Sequence, residues 1–343
     1  LRIALDATPL TLSSGGLARY TTELALALER GGDTVMLLSD QPFEWRGCVS
    51  GGVRGFLNRR WWSAGLTREL SRVQAEVFHG TNFSVPYIPL RPSILTIHDL
   101  SPWMDPAWHH AASRVRRRTP LLVGLGLAAM IITDTEAVRR QVIERFRVHP
   151  GRVVSVPLAA SEIFRPVDPP QRAPYILFAG TLEPRKNIPA LVAAWRAVRR
   201  EHTIDLVLAG RRRADFPELP PEPGLCLVGE VADAELARLY SGAAAFVYPS
   251  LYEGFGLPLL EAMKSGACVI ASEDPALREV AAGAALHVPP GELAPSIRLV
   301  LENANLRAEL RSRGRVRAKE FSWTRTARET RAVYEEACRR WHA

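Results

Sequence analysis

Short apolar runs alternate along the chain with longer stretches in which apolar residues recur every three or four positions. The runs at 3–6, 35–38, 77–79, 94–97, 130–133 and 153–156 read as buried strands, and 18–30, 64–73, 110–127 and 135–146 carry helical spacing. Strands that alternate with helices predict a parallel sheet covered on both faces. A proline-rich break follows, Val167-Asp168-Pro169-Pro170-Gln171-Arg172-Ala173-Pro174, which neither a helix nor a central strand tolerates. The alternation then restarts, with strands at 175–179, 206–209, 225–228, 245–248 and 269–271 and helices at 188–200, 233–242, 257–265 and 275–282. An Arg/Glu-rich helical pattern at 324–341 closes the chain, either solvated or packed back on the first half. The expected organisation is a domain at 1–165, a linker at 166–174, a second domain at 175–322 and a terminal helix at 323–343. Ligands of doubly wound sheets bind beyond the carboxyl ends of the strands, so a cleft between the halves is the default site.

Composition narrows the class. A length of 343 residues suits two domains, and 47% hydrophobic residues exclude a disordered chain. Lys and Arg number 44 against 36 Asp and Glu, a net charge of +8, with only Lys186, Lys264 and Lys319 as lysines. That excess favours anionic partners, but it is spread over both halves and is too weak to imply nucleic acid. Four scattered cysteines without a C-x-x-C pair argue against a disulfide framework and a zinc ribbon. The longest apolar stretch, 120–132, is shorter than the roughly 20 residues a membrane span needs. The opening Arg2-Ile3-Ala4-Leu5-Asp6 reads as a strand, not a signal peptide. A cytoplasmic protein is expected.

Four segments carry candidate chemistry. Gly15-Gly16 lies between the first strand and first helix, where glycine permits a tight turn and the helix N-terminus offers N–H groups to an anion. His98-Asp99 ends the strand at 94–97, on the side of the sheet where ligands bind. Gly180-Thr181-Leu182-Glu183-Pro184-Arg185-Lys186-Asn187 follows the first strand of the second half. Its adjacent Arg185 and Lys186 suit a diphosphate, one as a bidentate fork and the other as a point charge. Pro249-Ser250-Leu251-Tyr252-Glu253-Gly254-Phe255-Gly256-Leu257-Pro258-Leu259-Leu260-Glu261-Ala262 combines a glycine loop, a proline suited to a first helical turn and two carboxylates. Such carboxylates accept pairs of hydrogen bonds from sugar hydroxyls.

Glu253 and Glu261, with seven residues between them, resemble the E-x7-E motif of family-four retaining nucleotide-sugar glycosyltransferases of GT-B architecture. The likeness runs in order through Gly16, His98, the Glu183–Asn187 run and the E-x7-E block. It implies two Rossmann-like domains facing a central cleft and a sugar transfer from a nucleotide diphosphate. By the same resemblance, Arg185 and Lys186 hold the diphosphate, Glu261 the ribose and Glu253 the donor-sugar hydroxyls. The backbone of Gly254, Phe255, Gly256 and Leu257 lies along sugar and diphosphate. Gly16 and Gly180 border the phosphates, Val231 borders the base, and His98 lies near the reacting sugar. Retention is implied by the family alone. No D-x-D occurs in the chain, so no metal is expected on the diphosphate, where Arg185, Lys186 and helix N-termini would meet the developing charge. No other cofactor is expected.

Two stretches depart from the family pattern. Pro157-Leu158-Ala159-Ala160 replaces a polar turn, and Gly210-Arg211-Arg212-Arg213 is unusually basic, read either as surface charge or as a further phosphate contact. On the acceptor side, Arg59-Arg60-Trp61-Trp62 and the segment from Trp103 to Arg118, with Trp108, His109 and His110, mix aromatic and basic residues. Such a surface suits an anionic membrane that presents lipid-linked sugars, or equally a core with solvated arginines. His98-Asp99-Leu100-Ser101-Pro102-Trp103 is similar to bacterial polysaccharide mannosyltransferases, which favours GDP-mannose over UDP-glucose. The expected partners are thus a nucleotide sugar and a glycan or lipid-linked acceptor. A phosphorylase, a nucleotide-sugar epimerase and a non-catalytic binding protein are the alternatives.

Overall fold

The computed structural model describes residues 1–11, 15–51, 60–109 and 112–342; Arg59 and His110 therefore lie outside the described residues. The strands are β1 (Arg2–Asp6), β2 (Thr34–Leu38), β3 (Pro42–Trp45), β4 (Cys48–Gly51), β5 (Val77–Gly80), β6 (Ser93–Ile97), β7 (Met130–Thr133), β8 (Val153–Ser155), β9 (Tyr175–Ala179), β10 (Asp205–Ala209), β11 (Leu225–Gly229), β12 (Ala245–Tyr248), β13 (Val269–Ala271) and β14 (Leu286–His287). The helices are α1 (Gly16–Arg30), α2 (Leu66–Arg72), α3 (Ser101–Met104), α4 (Ser113–Gly124), α5 (Glu136–Phe146), α6 (Ile188–Arg199), α7 (Asp233–Gly242), α8 (Leu257–Lys264), α9 (Pro275–Ala281), α10 (Leu293–Glu302), α11 (Ala304–Ala318) and α12 (Trp323–His342). They form two compact units, Leu1–Leu158 with Ser322–Ala343, and Ala159–Phe321.

In the first unit a parallel sheet runs in the order β2-β1-β5-β6-β7-β8. Its central strands are buried along their whole length, which is why they read as continuous apolar runs instead of alternating ones. The order reverses between β1 and β5, so the loops after these two strands splay apart there. Thr135 caps α5 by accepting from the Val138 amide at 3.2 Å. The terminal helix α12 packs on α1, and its Tyr334 is completely buried.

The second unit repeats the plan in the order β11-β10-β9-β12-β13-β14, again all parallel. Its reversal falls between β9 and β12. β9 and β12 are buried throughout, whereas the edge strand β11 leaves Leu227 45% exposed.

Three features depart from the sequence pattern. The antiparallel pair β3–β4 is a hairpin too short to show a period; Arg46 and Gly47 turn it with φ of 51° and 75°. The helix expected at 110–127 ends at Gly124. α10 and α11 were not anticipated, and the charged α11 buries only Leu310, Gly314 and Ala318.

Candidate functional site

The two segments richest in candidate residues follow β9 and β12, the strands that flank the reversal in the second unit. There the chain must leave the sheet in opposite directions and opens a crevice. The loop after β9 forms a single 3-10 turn at Pro184–Lys186, which ends on Asn187 in the left-handed region at φ 54°. That turn aims Arg185 and Lys186 at the loop after β12. The Leu251 amide donates to the Arg185 carbonyl at 2.9 Å and ties the two loops together. Gly256, at φ 89°, caps α8 in a conformation other residues resist, and a Cβ there would lie 2.4 Å from Leu277 Cδ2.

Side chains complete the cluster. Arg185 Nη1 donates to Glu253 Oε2 at 2.9 Å and to the Tyr252 carbonyl at 2.7 Å, and its Nη2 donates to Glu183 Oε1 at 2.8 Å. Lys186 Nζ donates to Glu253 Oε1 at 2.5 Å and to the Tyr248 hydroxyl at 2.6 Å. Glu253 thus spans both cations while only 6% exposed. Burial raises its carboxyl, but Lys186 and Arg185 outweigh that and hold it down to about 2. Burial also lowers the Lys186 ammonium below its usual value, against the pull of Glu253. Asp274 accepts from the Glu253 amide at 3.3 Å and caps α9; burial pushes its carboxyl up to about 6.

Glu261, 3% exposed, lies one turn into α8 and accepts from the Tyr240 hydroxyl at 3.3 Å. Phe255 packs edge-on against Phe321 with centroids 5.8 Å apart. Gly180 adopts φ 140° at the end of β9, and Val231 is half-buried between β11 and α7.

In the first unit Gly15, at φ 116°, admits the chain to α1, whose first residue is Gly16. His98 follows β6 with both ring nitrogens engaged: Nδ1 faces Asp134 Oδ2 at 2.7 Å and Nε2 faces the Thr81 carbonyl at 2.9 Å. A carbonyl only accepts, so Nε2 carries a proton. Burial opposes charge on His98, but Asp134 and the Thr81 carbonyl together raise its pKa above the ordinary histidine value. Burial likewise pushes the Asp134 carboxyl above its usual range against the pull of His98, so the two groups share a proton across a 2.7 Å contact. Asp99 instead accepts from the Ser101 amide and hydroxyl at 2.9 and 2.6 Å, closing the turn into α3.

Residues 14–161 match the family model described as Glycosyltransferase Family 4, and residues 160–317 match the one described as Glycosyl transferases group 1. The O-antigen chain mannosyltransferase B of Escherichia coli is 33% identical over 283 residues, covering 76% of this chain and 74% of the relative. The chain belongs to glycosyltransferase family 4. Sucrose-phosphate synthase from Thermosynechococcus elongatus superposes with a TM-score of 0.78 at 21% identity, over 98% of each chain. The Anabaena HepE protein in complex with UDP-glucose superposes with a TM-score of 0.77 at 16% identity, over 97% of this chain and 99% of that one. At such identities the likeness concerns the fold, and the two doubly wound units are those of GT-B.

In this family-4 glycosyltransferase the fold brings Arg185, Lys186 and Glu253 into one cluster and places Glu261 on the helix that follows. Three polar residues beside candidate residues carry no motif signal: Tyr248 and Asp274 in the second unit and, beside His98 in the first, Asp134; Arg213 stood out only as part of a basic run. Each meets its partner through space and not along the chain. Only Tyr248, the last residue of β12, was placed by its strand. Of the tryptophans expected on the acceptor side, one is buried, and Trp62, Trp103 and Trp108 are half-buried. Trp61 is 3% exposed, and Trp103 packs on Phe83 and Phe146 with centroids 5.8 and 5.3 Å away. The arginines remain: α4 contains no acid, and Tyr87, Ser113, Arg114, Arg117, Arg118 and Leu121 line a cavity of about 440 Å³. No described helix is long and apolar enough to cross a membrane.

Proposed function

We propose that this glycosyltransferase moves mannose from GDP-mannose, with retention and without a metal on the diphosphate, to a growing glycan or lipid-linked acceptor. The observation that carries the reading is the convergence of Arg185 and Lys186 beside Glu253 at the strand reversal of the second unit. As the bond to the sugar breaks, negative charge grows on the departing diphosphate. A fixed guanidinium and ammonium in a buried setting oppose that charge without reorganising. Glu253 then orients the donor-sugar hydroxyls and Glu261 holds the ribose. Gly180, Val231 and the backbone from Gly254 to Leu257 line the rest of the donor. Both ring nitrogens of His98 are already engaged, so it serves as a fixed polar wall near the sugar and not as a general base. Same-face attack by the acceptor supplies retention. The mannose preference rests on the E. coli relative's name and on the run His98–Trp103.

Acceptor binding falls to the first unit, beside Gly16 and His98. The acid-free α4, with Leu121 and Leu125 55% and 63% exposed beyond its arginines, suits peripheral contact with an anionic membrane surface. Flotation with phosphatidylglycerol vesicles, abolished by salt and by R114Q/R117Q, is the expected result; salt-insensitive or absent binding overturns it.

The donor reading is tested by calorimetric titration of GDP, UDP and ADP, each repeated in EDTA. Preferred binding of GDP, unchanged by EDTA, is expected. A preference for UDP moves the donor to a UDP-glucose type, and loss of binding in EDTA overturns metal independence.

A further inference from the structure

The sequence left Arg211-Arg212-Arg213 open between surface charge and phosphate contact, and the structure separates the three. Arg211 and Arg212 are exposed, and Arg212 reaches only Glu218, 3.8 Å away and itself 85% exposed. Arg213 turns inward: its Nη1 donates to Glu183 Oε2 at 2.9 Å, and its Nε and Nη2 form a fork on Asp215 at 2.5 and 2.8 Å. Glu183 is 7% exposed, and its other oxygen is the one that accepts from Arg185 at 2.8 Å. One buried carboxylate is therefore shared by two guanidinia.

The backbone fixes this relation. The Leu182 amide donates to the Arg211 carbonyl at 2.9 Å, and the Arg213 amide returns to the Leu182 carbonyl at 3.1 Å. The loops after β9 and β10 are stitched together one residue from Glu183. Their approach depends on glycine, because a Cβ on Gly210 would lie 2.0 Å from the Gly180 carbonyl oxygen. Neither end of the Arg213–Glu183–Arg185 chain is thus a long side chain searching solvent. Each guanidinium gives one N–H to a separate oxygen of Glu183, and the fork of Arg213 on Asp215 fixes the rotamer from which it does so.

We propose that Arg213 is a positioning residue for sugar transfer: by holding Glu183 it fixes the Arg185 guanidinium against the donor diphosphate, without touching the donor itself. The inference rests on the reading of Arg185 as a diphosphate ligand. An arginine that must meet charge as it develops loses most of its effect when displaced by about 1 Å, at a cost of up to about a hundredfold in rate. The effect therefore falls on kcat more than on donor KM.

The test compares R213A, R213K, E183Q and R185A with R213A/R185A, each assayed for transfer kinetics and for calorimetric binding of inorganic diphosphate. R211A and R212A serve as neighbours of the same charge. R213A should lower kcat at least about tenfold with a smaller change in KM, and R213K should restore part of it. R211A and R212A should match the parent enzyme. Diphosphate binding by R213A/R185A should equal that by R185A alone, because Arg213 acts through Arg185. An additional loss in the double variant, or an R213A enzyme with unchanged kcat, overturns the inference alone. An R185A enzyme that keeps full transfer and diphosphate affinity overturns the donor reading, and the inference with it.

Discussion

The two units share one plan, a parallel sheet whose strand order reverses once, yet they treat buried polarity at that reversal in opposite ways. In the loops after β9, β10 and β12, Arg185, Lys186 and Arg213 interleave with Glu183 and Glu253, so most contacts are between full charges. Within β5, which flanks the reversal of the first unit, His79 joins the hydroxyl of Thr96 on the neighbouring β6 and the Tyr334 hydroxyl at 2.6 Å each, and Thr96 meets the Tyr20 hydroxyl at 3.1 Å. Burial holds His79 down to about 3, so that network is neutral. Beside it, with Tyr20 edge-on to the His98 ring, stands the His98–Asp134 pair. On the proposed function, the difference follows from what each side must do. A diphosphate brings charge that requires countercharge already in place, whereas a neutral sugar hydroxyl needs shape and directed hydrogen bonds.

The widest separation between the two clusters should come from removing the cations. R185A or K186A should lower sugar transfer about a thousandfold or more while thermal unfolding stays cooperative. Equal losses from H98A would erase the distinction drawn here, since that side is assigned orientation and not charge stabilisation. Steady-state kinetics with a fixed acceptor measures both.

A smaller and more discriminating effect concerns Glu253. Its carboxylate sits on Arg185 and Lys186, the two cations that meet the diphosphate in the proposed function. E253Q removes that competing charge but also the acceptor for sugar hydroxyls. Transfer should fall about a hundredfold, while GDP binds about fivefold more tightly, a gain of roughly 1 kcal/mol. Calorimetry alongside turnover resolves the two opposed changes, and a loss of GDP affinity would mean that Glu253 supports the cations instead of occupying their seat.

How much of this was legible depends on whether partners are neighbours in the chain. The donor loops read well because Glu183 to Asn187 and Glu253 to Glu261 are contiguous, and each begins where a recognisable buried strand ends. Arg213 was visible as a charge, but its partner Glu183 lies 30 residues away and no period links them. Asp134 stands 36 residues from His98, just after β7, and became meaningful only once β6 and β7 were paired side by side. The hairpin β3–β4 fell below the length at which alternation shows. The tryptophans at 61 and 103 left two readings open for the first unit, because an aromatic residue beside arginines reads the same whether its ring faces solvent or core.

The smallest effect, and the finest probe of the neutral side, is D134N. The His98 pKa is raised above its reference of 6.5, with burial opposing and Asp134 the largest favourable influence. A raised pKa contributes stability that is present in full below about pH 6.5 and is lost as pH climbs through the folded-state value. Asp134→Asn keeps the side-chain shape but removes the charge that retains the proton. It should therefore destabilise the enzyme by about 2 kcal/mol near pH 6 and by progressively less as pH rises through the folded-state value and the imidazole of the parent enzyme gives up its proton. Asp99, Tyr20 and His79 also face this ring; of the three, only Asp99 favours its charge. D99N should accordingly shift the same stability profile in the same direction by a smaller amount. Thermal unfolding across that pH range reads the shift, and a D134N penalty that grows with pH would mean that the shared proton rests on Asp134 and that His98 is neutral.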